Sequence, residues 1–275
     1  MFLNLLRQTM DEAIFRLCMV AQKAGSEIMS VRESFKPEEF ELKGDGSPVT
    51  VADLRAHRII EEALSKISPE TPLVSEEGSA GDPLSSELCF LVDPLDGTKE
   101  FIRGNGMYTV NIALMERGDG SRWAPILGVV HAPEFDITWF GGRGMEAMRQ
   151  DPGGMGKISA GTNNSAPVIV GSVSHASPRD RAFAEAVGEH VFEGVGSSMK
   201  ICRVAEGSAD MAPRFGTTSC WDTAAAHAVL NAAGGSLLGP DGAELDYDLV
   251  EDILNPWFLA TSGGKWVDLW IEHQV

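Results

Sequence analysis

A chain of 275 residues with 43% apolar side chains can bury a sizeable core, and 40 acidic against 22 basic residues give it a net charge of −18. The lysines and arginines are dispersed, so the charge balance excludes a basic face for a nucleic acid polymer, whose phosphates it would repel. Four cysteines at irregular spacing, with no CxxC pair, exclude a disulfide scaffold and point to reduced thiols and a cytoplasmic setting.

From Leu5 to Met29 apolar residues recur at helical intervals, as Leu6, Ala13, Leu17, Val20, Ala24 and Ile28, which predicts an amphipathic helix packed on the body. Asp11 and Glu12 interrupt it too early for a signal sequence, and no window has the apolar length of a transmembrane segment. The polar stretch from Glu38 to Ser47 ends in turn chemistry, Gly44-Asp45-Gly46-Ser47-Pro48. Thr50 opens a second helix, with Asp53 three residues on, as in a capping box. Thr71–Val74 is a predicted short strand running into Ser75-Glu76-Glu77-Gly78. Leu88–Val92 has the unbroken apolar pattern of a strand buried on both faces, stopped by Asp93-Pro94.

A helix start follows at Thr98, then strands at Tyr108–Leu114, Ile126–Val130 and Phe135–Phe140. The Gly- and Met-rich stretch from Arg143 to Ser165 is expected to form loops with a domain junction near its end, dividing residues 1–165 from 166–275. The second part reads as a strand at Pro167–Ser172, a helix at Ser177–Val187, an Ala-rich helix after Asp222 that ends at Gly234-Gly235, and a strand at Phe258–Thr261. Strands and helices mix throughout, so the class is α/β, or α+β with layered packing.

The chemistry centres on Asp93-Pro94-Leu95-Asp96-Gly97-Thr98. A buried strand delivers two carboxylates to one turn, where a hard divalent cation relieves their repulsion, and Gly97 lets the backbone approach a ligand. Asp53, Glu76 and Asp222 also stand at the ends of elements. Singly, each can be a helix cap or a turn residue. Five acids so placed suggest one oxygen-rich cage.

These motifs resemble the inositol monophosphatase superfamily of Mg²⁺-dependent, Li⁺-sensitive phosphatases over nearly the whole chain. One signature matches LVDPLDGT at Leu91–Thr98, the other WDTAAAHAVLNAAGG from Trp221 to Gly235. Lys99-Glu100-Phe101, Tyr108-Thr109-Val110-Asn111, Ser197-Ser198-Met199-Lys200 and Pro213-Arg214-Phe215-Gly216 are similar to its CysQ-like branch, the 3′(2′),5′-bisphosphate nucleotidases. Val173, between Ser172 and Ser174, departs from the arginine often found there in that branch.

The resemblance implies an alternating αβαβα sandwich. It implies two or three Mg²⁺ ions held by Glu76, Asp93, the Leu95 carbonyl, Asp96 and Asp222, with Asp53 and Thr98 activating water and Glu76 catalytic as well. Gly97 and Thr98 would bind the phosphate, together with Glu76, Leu95, Asp96 and Asp222. Ser174, His175, Ser197, Lys200 and Arg214 would contact the rest of a small-molecule phosphate ester, a nucleoside bisphosphate. The implied reaction is hydrolysis of adenosine 3′,5′-bisphosphate to AMP and phosphate. Inositol-1-monophosphatase, or a related sugar or histidinol phosphatase, is the alternative, and a non-catalytic cation binder a third reading. The resemblance leaves a monomer or a homodimer open, and equally a peripheral association with the inner membrane surface.

Overall fold

The computed structural model describes residues 2–44, 46–118, 120, 122–161, 166–172 and 178–273. Helix α1 (Phe2–Arg32) buries Ile14, Leu17, Ala21, Ala24 and Ile28 along one stripe, as its periodicity requires. A small hairpin of β1 (Glu41–Leu42) and β2 (Pro48–Val49) leads to α2 (Val51–Ile67). The expected capping box starts α2: the Thr50 amide donates to Asp53 Oδ2 at 2.8 Å, and Thr50 Oγ1 accepts from the Ala52 amide at 3.1 Å.

Next come β3 (Leu73–Ser75), β4 (Leu88–Asp96), α3 (Thr98–Arg103), β5 (Thr109–Arg117), β6 (Arg122–Ala132), β7 (Ile137–Gly142), β8 (Met148–Asp151) and β9 (Gly154–Lys157). The strands form a sheet in the order β3-β4-β5-β6-β7-β8-β9, parallel between β3 and β4 and antiparallel beyond. β4 is buried as its apolar run demands, but it does not stop at Asp93. It continues to Asp96 across a register shift between Asp93 and Asp96. Pro94 has no amide hydrogen to offer a ladder and sits inside that shift. The loop expected from Arg143 to Ser165 needs correction, because β8 and β9 form a hairpin within it, Met148 opposite Lys157. Both strands lie at the open edge with little buried surface, so no apolar alternation marks them.

The rest of the chain supplies β10 (Val168–Gly171), α4 (Pro178–Val187), β11 (Val191–Gly194), α5 (Met199–Ala205), β12 (Met211–Arg214), β13 (Thr218–Ser219), α6 (Cys220–Ala232), β14 (Ser236–Leu238), β15 (Tyr247–Asp248), β16 (Leu254–Asn255), β17 (Phe258–Thr261) and α7 (Lys265–Glu272). A second sheet runs β11-β10-β12-β17-β14, while β13 pairs with β16 and β15 joins the first sheet through β6. Helices α1 and α2 cover one face of the first sheet, α5 and α6 fill the space between the sheets, and α4 and α7 cover the outer face of the second. The layers are α, β, α, β, α.

Between two sheets a helix has no solvent side, and every residue of α6 from Thr223 to Leu230 is buried. Its alanines let it settle into a groove made by Gly128 and Gly141, which face each other across β6 and β7. A Cβ added at Gly128 would lie 2.0 Å from the Ala225 carbonyl oxygen, and one at Gly141 2.9 Å from Ala232 Cβ. Sequence patterning did not indicate α7, which Trp266 and Trp270 anchor; Trp270 Nε1 donates to the Gly239 carbonyl at 2.7 Å. Among the described residues no helix is long and apolar enough to cross a membrane.

Candidate active site

Parallel pairing sets Ser75 beside Val92, and the Glu76 amide donates to the Val92 carbonyl at 3.2 Å. Glu76 therefore leaves β3 alongside Asp93, close enough for its charge to act on the Asp93 carboxyl. Past the register shift, Asp93, Asp96 and Asp222 bring one carboxylate oxygen each within 4.8 Å of one another. Local geometry fixes all three. Asp93 Oδ1 accepts from the Leu95 amide at 3.0 Å. Asp96 Oδ2 accepts from the Ser198 amide at 2.6 Å and from Asn111 Nδ2 at 3.3 Å. Asp222 occupies the third position of α6, where its Oδ2 accepts from the Ser219 amide at 2.9 Å, a second capping box.

Burial pushes all three carboxyl groups above their ordinary range, and mutual repulsion adds to it: Glu76, Asp96 and Asp222 act on Asp93, and Asp96 and Glu76 on Asp222. Acids crowded at this cost are relieved by a cation. The donors are all hard oxygens, including Leu95, which lines the same cavity, and this set suits a hard divalent metal ion. Glu76 stands beside the trio, not within it, because Lys43 Nζ lies 2.7 Å from its Oε1 and 2.5 Å from Glu77 Oε1.

Asp53 is separate from the trio as well. Its Oδ2 accepts from the Thr50 amide and hydroxyl at 2.8 and 2.6 Å, and its Oδ1 accepts from Thr98 Oγ1 at 3.0 Å. Burial raises its carboxyl to about 6 against the opposing pull of the donors from Thr50 and Thr98. Thr98 is the first residue of α3 and follows Gly97, whose φ of 94° is left-handed backbone that a side chain would strain. A carboxylate oriented on a hydroxyl, beside a cluster able to hold a metal ion, can steer and accept a proton.

The carboxylate trio, Thr98, Ser197, Lys200 and Arg214 all line one cavity of about 340 Å³. Lys200 Nζ donates to the Ser197 carbonyl at 2.6 Å, with Ser197 at a left-handed φ of 50°. Burial lowers the Lys200 ammonium and Asp96 opposes that shift. Arg214 Nη2 donates to the Thr217 carbonyl at 3.2 Å, and its buried Nε has no hydrogen-bond partner among the described residues. Val173, Ser174 and His175 lie outside the described residues. Sequence reasoning missed Lys43, and it read Asn111 and Ser198 only as parts of motifs, with no role of their own. Asn111 carried a signal, being a polar residue inside an apolar strand, opposite Asp93 in register.

Layered sheets that gather buried carboxylates at a helix start, in one cavity with Lys200 and Arg214, define a metal-assisted enzyme for an anionic substrate. The chain belongs to the inositol monophosphatase family, whose pattern matches residues 9–264. It is 43% identical over 252 residues to the 3′(2′),5′-bisphosphate nucleotidase CysQ of Salmonella typhimurium, covering 90% of this chain and 98% of that one. The Escherichia coli K12 protein of that name is 42% identical over 245 residues, 88% of this chain and 97% of its own. The crystal structure of CysQ from Bacteroides thetaiotaomicron superposes with a TM-score of 0.79 at 33% identity, covering 92% of this chain and 98% of that one.

Proposed function

We propose that the protein is a Mg²⁺-dependent 3′(2′),5′-bisphosphate nucleotidase that hydrolyses adenosine 3′,5′-bisphosphate to AMP and phosphate. One observation carries the reading: Lys200 and Arg214 line the same cavity as the carboxylate trio and Thr98. A substrate with a single phosphate satisfies the cation-binding side alone. A second phosphate uses the guanidinium fork and the ammonium as well. Relatives named as bisphosphate nucleotidases over nearly their full length support the same substrate class.

In this reading Glu76, Asp93, Asp96, Asp222 and the Leu95 carbonyl hold two or three Mg²⁺ ions. Bound there, the ions supply Lewis-acid charge neutralisation and a water of lowered pKa. Thr98 Oγ1 orients the attacking water and passes its proton toward Asp53 Oδ1. With a carboxyl near 6, Asp53 can accept that proton at neutral pH. Gly97 and Thr98 turn their amides to the phosphate, and Ser197, Lys200 and Arg214 hold the other end of the nucleotide. Residues 1–165 then carry most of the cage, and 166–275 supply Asp222 and the specificity groups. A cytoplasmic location accompanies this reading, since all four cysteines are free and buried.

A phosphate-release panel tests it. Purified protein with Mg²⁺ is expected to favour adenosine 3′,5′-bisphosphate, and to lose activity without Mg²⁺ or with added Li⁺. Faster turnover of inositol 1-phosphate or fructose 1,6-bisphosphate would overturn the assignment.

A further inference from the structure

We infer that Asn255 is a positioning residue for cation binding: from beneath the cavity, its amide fixes the strand-to-helix corner that aims Asp222. The inference rests on the metal-dependent reading above. Asn255 is buried at the end of β16. Its Nδ2 lies 2.7 Å from the Ser219 carbonyl oxygen, 3.0 Å from Thr223 Oγ1 and 3.1 Å from Thr218 Oγ1. A carbonyl oxygen only accepts, so the amide nitrogen, and not its oxygen, must face Ser219.

All three acceptors fall within Thr218–Thr223, the corner where β13 becomes α6, and Asp222 stands inside it. Ser219 is held from both ends, since its carbonyl accepts from Asn255 and its amide donates to Asp222 Oδ2. Backbone pairing between β13 and β16, with the Cys220 amide on the Ile253 carbonyl at 2.8 Å, locates the corner. The Asn255 amide holds the other end of that same peptide, the Ser219 carbonyl, so its plane is fixed from both sides, and the same amide restrains the Thr223 side chain. Thr223 is in turn tied through Tyr247 Oη at 3.3 Å to His227, and His227 Nε2 meets Glu244 Oε1 at 2.6 Å. Asn255, Thr223, Tyr247 and His227 are buried and each is bonded, and such a network is rigid. Rigidity matters at Asp222 because repulsion from Asp93 and Asp96 would otherwise swing its carboxylate away before a cation arrives.

The test is Mn²⁺ calorimetry on chelator-treated, dialysed protein, for the unaltered chain, Asn255→Leu and Asn255→Asp, with thermal melting in parallel. Loss of a group that orients a ligand weakens metal binding about 10- to 100-fold, which is the expected result for Asn255→Leu. The Mg²⁺ concentration giving half-maximal phosphate release should rise by the same factor, while KM for the nucleotide at saturating Mg²⁺ stays unchanged. Should the leucine variant fail to fold, Asn255→Asp, equal in size but without the donor to Ser219, is read the same way. A folded variant with unaltered Mn²⁺ affinity, however low its melting temperature, overturns the positioning role alone. If the unaltered protein takes up no Mn²⁺, the metal-dependent reading falls and the positioning role with it.

Discussion

Replacing Thr98 with valine keeps the shape of the side chain and removes one hydroxyl. Among the described residues that hydroxyl is the one donor to Asp53 Oδ1; both Thr50 donors go to Oδ2. Two effects follow, of separable size. The buried carboxylate loses one charge-assisted hydrogen bond, which costs about 1.5–3 kcal/mol of stability. At about 2–4 °C for each kcal/mol, melting falls measurably but the fold survives. The proton path from water to Asp53 is cut, and positioned acid–base catalysis contributes about 10²- to 10⁴-fold. The expected result is a fall of that size in kcat, with KM and Mn²⁺ affinity unchanged, because the carboxylate trio is untouched. Thr98→Ser restores the hydroxyl and should restore most of the rate. Phosphate release from adenosine 3′,5′-bisphosphate at saturating Mg²⁺ measures both variants. A valine variant that turns over at the unaltered rate refutes the roles given to Thr98 and Asp53.

Arg214→Met should raise KM for the bisphosphate about 10- to 100-fold, the worth of a charge-assisted hydrogen bond, and leave turnover of a monophosphate unchanged; equal losses on both would remove Arg214 from the specificity side. His131 is buried with its Nδ1 at 2.9 Å from Thr138 Oγ1, and burial lowers it from 6.5 to about 4. As pH falls the unfolded chain binds the proton first, so up to about 3 kcal/mol of stability is lost between those two values. Urea unfolding at neutral and acid pH should show this loss, and His131→Asn should lessen it; an identical acid slope in the variant would exclude His131 as its source. Gly128→Ala drives a methyl group into the Ala225 carbonyl and should cost about 1–3 kcal/mol or more by overpacking, read as a lower denaturant midpoint. An unchanged midpoint would mean that α6 does not seat as closely as described.

Legibility tracked how local each signal was. Thr50 and Asp53 announced a capping box within four residues, and both partners are where that pattern puts them. The run Leu88–Val92 had the pattern of a strand buried on both faces, which it is, and it delivers Asp93 to the cage. What stayed hidden depends on register and long-range folding. Nothing near Lys43 says that its hairpin returns to Glu76 and Glu77. Asn255 reads as an ordinary residue before a proline, and only the β13–β16 pairing brings it under Ser219. The β8–β9 hairpin escaped because an edge ribbon buries little on either face, so neither helical nor strand periodicity emerges.

The groove at Gly128 and Gly141 bears on how such an enzyme can change through recombination. Asp222 rides on a helix whose seat is carved by residues almost a hundred positions earlier in the chain. A chimera joining the front of one relative to the back of another would carry every carboxylate and still misplace one of them, unless the notch and the alanines that fill it had been inherited together.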